Sequence, residues 1–445
     1  MDDPGAPQLL ITRTEQERGN NDNMTTATGQ RSEFKLGAKP LAAALLGVAC
    51  GASPLPFNVL PLVMGPINKE FGWDFASISA GVTVFGIIAA LMAPVFGGLS
   101  DRFGVRPVAL LSLFVFGIVF GAFYFMPAST PGYIAFWAVL GAIGIGSTPV
   151  TWSRAISLWF SKNRGLALGI MLLGTSLAAM VVPQIAQKAI SAGGWRMAFP
   201  VVALLPICIA LPLAFFWFHE PRLEERPAEL TDAKGQVAGQ SLGEAVRGYR
   251  FWVMFVSILL TAFAYGGAHI HIAQIVSLHG FAAEVAASVM GVVAIGILTG
   301  RLLVGYLFDR FWAPGVAFPA LLLPTIACWL LMGTDATMAA VMTGGFLLGF
   351  AAGTESDVIA YLASKYFGMA HYGRIYGVLY MPFGIGSAIS PIVYGLVRDR
   401  TGSYDPILFA AMLCFSAGGA LQLLQGRYPA ASRHSDPKLQ PAGAH

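Results

Sequence analysis

The sequence predicts an all-α membrane protein whose twelve transmembrane helices form two six-helix, pseudo-symmetric halves. Three observations carry that prediction. The 445 residues are 56% hydrophobic and only 11% charged, with a mean hydropathy of +0.66, whereas a soluble domain carries about 25% charged residues. The apolar residues fall in runs of about 20, the length that crosses ~30 Å of hydrocarbon. The chain also matches itself when shifted by 208 residues.

Residues 1–39 come first. They are polar, have no apolar signal core, and read as a disordered cytoplasmic tail, with translation starting at Met1 or Met24. Apolar runs then follow at 41–63, 77–98, 108–126, 132–158, 166–188 and 197–218. A polar, charged linker occupies 219–249. Six more runs follow at 250–273, 285–307, 315–333, 337–362, 374–397 and 405–424, and a short tail at 425–445. The domains are therefore a first half at 40–218 and a second at 250–424, on either side of the linker. Runs this long without apolar–polar alternation make helices, not a barrel.

Orientation follows from the basic residues in the short loops. One set of loops holds Arg102, Arg106, Lys162, Arg164, Arg222, Arg226, Lys234, Arg247, Arg250, Arg310, Lys365 and Arg374; the opposite set holds only Lys69, Lys188, Arg196, Arg398 and Arg400. The richer set is expected in the cytoplasm, with both termini, in a cell (inner) membrane.

The repeat shows in the punctuation. At the 208-residue offset Gly72 falls on Gly280, Gly97 on Gly305, Asp101 on Asp309, Arg102 on Arg310 and Phe103 on Phe311. Gly141 falls on Gly349, Gly169 on Gly377, Pro183 on Pro391 and Gly194 on Gly402. Two parallel six-helix repeats around a midplane site are one architecture of secondary transporters.

The stretch GGLSDRFGVRP, Gly97 to Pro107, resembles the loop 2–3 signature of the major facilitator superfamily. Gly97, Leu99, Asp101, Arg102, Gly104 and Arg106 fit it; Val105 departs. The resemblance covers about 40–424. It implies a conformational latch built on Gly97, Asp101, Arg102 and Arg106, with Asp309 and Arg310 in the second copy. It also implies a protein working as a monomer. FGW (Phe71–Trp73), WFSKNRGLALG (Trp159–Gly169), GRLLVGYLFDR around Arg301 and YFGMAHYGRIYG before span 11 resemble the monocarboxylate and oxalate/formate branch. Span 1 reads GASPLPFNVLP instead of the animal monocarboxylate pattern, Ile297 stands where an acid would precede Arg301, and span 11 has no Lys.

Four charges fall well inside spans: Arg154, Arg301, Glu355 and Asp357. Each costs about 2.5–3.5 kcal/mol or more at the bilayer centre, so each is expected to be functional or paired. Arg301 is expected to anchor a substrate carboxylate through its fixed fork, or to sit in an ion pair with Asp357 or Glu355. Glu355 and Asp357 are about 200° apart on one helix, so one is expected as the proton site and the other as a hydrogen-bond partner. Arg154 is a further candidate for the substrate. His271, at the outer gate, is preferred over His269, with Tyr265 and Tyr380 shaping the pocket.

Other classes fit less well. The scattered basic residues give no nucleic-acid footprint, and Cys50, Cys208, Cys328 and Cys414 have no metal or disulfide spacing. No nucleophile–base pair shares one depth, so no enzyme and no cofactor are expected. The expected partners are a small organic anion, protons and the lipid bilayer. The expected function is proton-coupled transport of a monocarboxylate-like anion by alternating access. The alternatives are anion exchange and carriage of a neutral solute or drug.

Overall fold

A computed structural model describes residues 33–222, 225–226, 237–333 and 336–429. Most of the expected N-terminal tail, including Met1 and Met24, lies outside those residues, as do the chain after 429 and part of the linker. The described chain is helical almost throughout. Its helices are α1 (33–49), α2 (Leu55–Phe71), α3 (Phe75–Phe103), α4 (Val105–Ala122), α5 (Thr130–Gly144), α6 (Pro149–Trp159), α7 (Arg164–Gly193), α8 (Ala198–Leu204) and α9 (Leu211–Trp217). After the linker come α10 (Leu242–Arg247), α11 (Tyr249–Ile270), α12 (Ile272–Leu278), α13 (Ala283–Phe308), α14 (Ala313–Leu330), α15 (Met338–Phe367), α16 (Tyr372–Thr401) and α17 (Asp405–Leu423). Among the described residues, eleven stretches are long and apolar enough to cross a membrane. The broken pair α1 and α2 accounts for the twelfth expected crossing.

Local chemistry sets the helix ends. Asp74 caps α3 by accepting the Ser77 N–H, and Thr337 caps α15 by accepting that of Ala340. Ser241 and Glu244 form a reciprocal capping box on α10. Gly104 alone separates α3 from α4. Its φ of 85° is a left-handed value that only glycine adopts cheaply. GGLSDRFGVRP is thus helical up to Phe103 and bends at one residue, where a turn was expected.

Two crossings are interrupted where they meet. Residues 50–54 break the first, and the 3₁₀ turn Ile145–Ser147 breaks the fourth. Pro54 and Pro149 carry no N–H at these breaks. The freed Ala52 N–H donates to Ser147 Oγ at 3.0 Å, and a Cβ on Gly51 would lie 2.3 Å from the Ser147 carbonyl oxygen. Unwound backbone survives at membrane depth only where protein satisfies it, as here.

Helices α1–α9 pack mainly on each other, as do α11–α17. Two seams join the groups: α3 against α16, and α7 against α13. Large apolar side chains such as Leu111, Phe125, Met180, Phe216 and Trp329 stand exposed on the outside, as lipid-facing residues do. Two expected borders shift. α1 already begins at residue 33, inside the expected tail. At the other end, Gln425 is fully buried and Tyr428 Oη accepts the Ala313 N–H. The linker is not loop throughout either. Gln240 N–H donates to the Phe367 carbonyl at 2.8 Å and Met369 N–H to that of Ala238 at 2.9 Å, so 238–240 pairs with the α15–α16 turn.

Candidate functional site

The two seams are locked at the end of the bundle that carries the linker. Asp101, in the last turn of α3, accepts the N–H groups of Gly373 and Arg374, each at 2.9 Å, at the start of α16. Asp309, just past α13, accepts those of Gly165 at 2.8 Å and Leu166 at 3.0 Å, at the start of α7. A carboxylate on unsatisfied first-turn amides is favoured by both hydrogen bonding and the helix dipole. Glycine makes the approach possible. A Cβ on Gly97 would lie 1.9 Å from the Gly373 carbonyl oxygen, and one on Gly165 would lie 2.2 Å from that of Gly305. Buried Arg164 adds a bond from Nη1 to Ser364 Oγ at 2.9 Å, and Tyr372 Oη donates to Ser153 Oγ at 3.2 Å. Burial pushes the Asp309 carboxyl up to about 6 despite the two N–H donors, which act in the opposite direction.

Deeper in the bundle, about 10 Å from the end of α13 at 1.5 Å per residue, Arg301 lies 8% exposed. Its Nη1 crosses the α7–α13 seam to the Leu172 carbonyl and to Thr175 Oγ1. Its Nε is buried without a hydrogen-bond partner, and so are both carboxylate oxygens of fully buried Asp357 on α15. Asp357 is the carboxylate whose charge acts on Arg301, yet the two form no ion pair within 4 Å among the described residues. Asp357 Oδ2 lies 3.5 Å from where a Cβ on Gly169 of α7 would stand. Glu355 leaves the same helix in another direction and accepts Thr261 Oγ1–H of α11 at 2.7 Å. Tyr265 is near enough to feel the charges of both Arg301 and Glu355, and its ring stacks on His269 with centroids 5.2 Å apart. Along α16 the rings of Tyr372, Tyr376, Tyr380 and Phe383 form a continuous file.

A buried guanidinium and a buried carboxylate with unfilled hydrogen-bonding positions are complementary to an oxyanion and a proton. The model of the Major Facilitator Superfamily matches residues 46–391, most of the chain. The chain belongs to that superfamily. It is 25% identical over 414 residues to the hexuronate transporter of Escherichia coli (strain K12), covering 85% of this chain and 92% of that one. It is also 25% identical over 336 residues to human monocarboxylate transporter 11, covering 70% and 67%, and over 384 residues to a probable sulfoacetate transporter of Cupriavidus necator, covering 80% and 84%. The fold is that of solved superfamily members. The Escherichia coli fucose:proton symporter matches with a TM-score of 0.65 at 15% identity, over 89% of this chain and 100% of that one. The human organic anion transporter MFSD10 matches at 0.63 and 19% identity, over 87% and 98%. Superfamily members move solutes across membranes as multi-pass proteins and are not enzymes.

Against this superfamily frame, several expected residues stand elsewhere. Arg154 was expected at the substrate but serves the lock. Its Nε donates to Asp101 Oδ1 at 2.9 Å and its Nη1 approaches Glu220 at 3.4 Å. It lies little more than a turn from the end of α6, so the carboxylates at that end are nearer than the bundle centre. His271 was preferred at the gate but is tied within the second group. Nε2 donates to the Pro391 carbonyl at 3.0 Å, and Nδ1 is hydrogen-bonded to Tyr404 Oη at 2.9 Å. Its neighbour His269 faces Tyr265 and keeps Nδ1 unpartnered. Of the latch residues, Gly97, Asp101 and Asp309 meet across the seams. Arg102, Arg106 and Arg310 instead stack on Phe103, Phe215 and Tyr306 of their own groups. Thr175, Thr261 and Glu220 carried no sequence signal, and Arg164 only that of a basic loop residue within WFSKNRGLALG. Gly165 and Gly373 did, because they obey the same 208-residue offset.

Proposed function

We propose that this chain is a proton-coupled symporter of small organic anions that works by alternating access. The observation that carries the proposal is the pair Arg301 and Asp357, buried together at one depth with hydrogen-bonding positions unfilled. Arg301 is the anion anchor, since its planar fork matches a carboxylate or sulfonate and keeps its charge. Asp357 is the proton carrier, since it is the buried carboxylate beside Arg301 whose two oxygens have no hydrogen-bond donor of their own. Charge balance supports one proton per monoanion. With the site empty, cationic Arg301 offsets anionic Asp357. With it filled, the substrate offsets Arg301 and the proton neutralises Asp357. Neither state moves a buried net charge through the bilayer. Glu355, engaged by Thr261, ties α15 to α11. The names of three relatives, for hexuronate, monocarboxylate and sulfoacetate, support an anionic substrate.

The basic loops support an orientation with the linker end in the cytoplasm of a cell (inner) membrane; in that orientation the joined seams describe a carrier closed to the cytoplasm. The proposed working unit is a monomer. The test is uptake of labelled lactate, sulfoacetate and glucuronate into proteoliposomes, with and without an inward proton gradient, by wild type and Arg301→Ala. Gradient-driven uptake that disappears in the variant is the expected result. Uptake indifferent to Arg301 would sink the anion reading, and uptake driven only by preloaded anion would favour exchange.

A further inference from the structure

The contact between Arg301 and α7 deepens this reading and rests on Arg301 being the anion anchor. A guanidinium has two edges that can grip a planar oxyanion: Nε with Nη2, and Nη1 with Nη2. In this structure Nη1 is occupied by the Leu172 carbonyl and Thr175 Oγ1. Nε is buried and unpartnered, so the edge it shares with Nη2 is the one left for a ligand. The orientation of the Thr175 hydroxyl is also fixed. Its hydrogen donates to the Leu172 carbonyl at 3.0 Å, which leaves its lone pairs to accept from Arg301. Thr175 and Leu172 belong to the first helix group and Arg301 to the second. The fork is therefore aimed by a contact that exists only while α7 and α13 lie together, a closeness that Gly169 permits and that Asp309 locks from below.

We infer that Thr175 is a positioning residue for the transported anion. It turns the Nε edge of Arg301 to the ligand while the linker end is closed, and it withdraws that support when the α7–α13 seam opens. Affinity then falls on the side where release occurs. A ligand can shift an equilibrium only through a difference in its affinity for the two states, and this contact supplies the difference. The ligand class follows from the edge: a planar or tripod oxyanion, carboxylate or sulfonate, with its charged end at Arg301.

The test uses purified full-length protein and whichever of lactate, sulfoacetate and glucuronate wild type binds most tightly. Thr175→Val keeps the shape and removes the hydroxyl; Thr175→Ser keeps the hydroxyl. Loss of one hydrogen bond to a charged group predicts binding weaker by roughly tenfold or more in Thr175→Val, restored in Thr175→Ser. Gly165→Leu, which forces the seam apart, is expected to weaken binding in wild type and to add little in Thr175→Val, because both remove the same support. Wild-type affinity in Thr175→Val overturns the inference, as does a serine variant as weak as the valine one or a strictly additive Gly165→Leu effect. The parent reading fails separately: retained binding in Arg301→Ala removes the anion anchor itself, whereas lost binding there with an unaffected Thr175→Val removes only the role of Thr175.

Discussion

Asp101 and Asp309 make the same contact on opposite seams: each carboxylate spans the second and third amides of a helix in the other group, Gly373 and Arg374 for one, Gly165 and Leu166 for the other. Both acids and both acceptor sites are related by the 208-residue offset. The two contacts are therefore one arrangement present twice, once on each seam.

The Asp309 lock is expected to respond to pH. Burial holds its carboxyl at about 6 in the closed end, whereas a hydrated aspartate titrates near about 3.9. The closed state thus binds the proton more tightly than an opened one. Its extra stability is fully present below about pH 4 and is lost as pH rises through about 6. Spin labels at Lys162 and Phe311, exposed residues flanking the α7–α13 seam on opposite groups, are expected to report a more closed end at about pH 5 than at about pH 7.5. Asp309→Asn is expected to flatten that profile; an unchanged profile would assign the titration to another group.

Glycine at the seams is a steric requirement. A side chain at Gly97 or Gly165 meets backbone, not a flexible side chain, so the helices must part. Overpacking of this kind costs about 1–3 kcal/mol, enough to move a two-state equilibrium by roughly tenfold or more. Gly97→Leu and Gly165→Leu are expected to lengthen the labelled distance and to slow uptake while leaving the protein folded, as judged by thermal melting.

The anion anchor requires a fork and not charge alone. Arg301→Ala leaves Asp357 buried without its counter-charge and is expected to reduce uptake by more than about a hundredfold. Arg301→Lys keeps the charge but presents a point donor. It is expected to remain strongly impaired in the same proteoliposome assay; near-wild-type transport in it would mean that charge alone suffices.

The two acids of α15 are expected to separate cleanly. Asp357→Asn is fixed in a neutral form, so it is expected to lose accumulation driven by a proton gradient while still exchanging external for preloaded anion. Glu355→Gln keeps an oxygen for Thr261 and is expected to retain proton-driven uptake at a reduced rate. Counterflow and gradient uptake on both variants test this, and the reverse pattern would exchange the roles.

Much of this arrangement was legible before any coordinates. Run length marked the helices and the offset repeat marked their duplication, because bilayer thickness and duplication leave marks in composition and spacing. Arg301, Glu355 and Asp357 stood out because charge is scarce in spans. Arg154 stood out for the same reason but lies with Asp101 and Glu220, since depth along a helix does not say which neighbours it meets. Between His269 and His271 the pattern showed only that they diverge. The choice depended on Tyr404 and Pro391, more than a hundred residues away. Thr175 and Thr261 gave no signal, because a threonine that bonds a charge looks like any other small residue in an apolar run.

The pairing of 238–240 with the α15–α16 turn moves the border of the second helix group upstream of α10. The cord that joins the groups begins after Glu220, which accepts the Val105 N–H, and ends where residues 238–240 pair, so the tether is anchored to the second body. Its covalent length, about 17 residues at ~3.3 Å each, far exceeds any rocking motion of the bundle. The cord therefore sets no limit on that motion, and the excursion of the carrier is arrested by helix meeting helix. A cut anywhere between Glu220 and Val237 leaves two polypeptides that each retain their own seam faces.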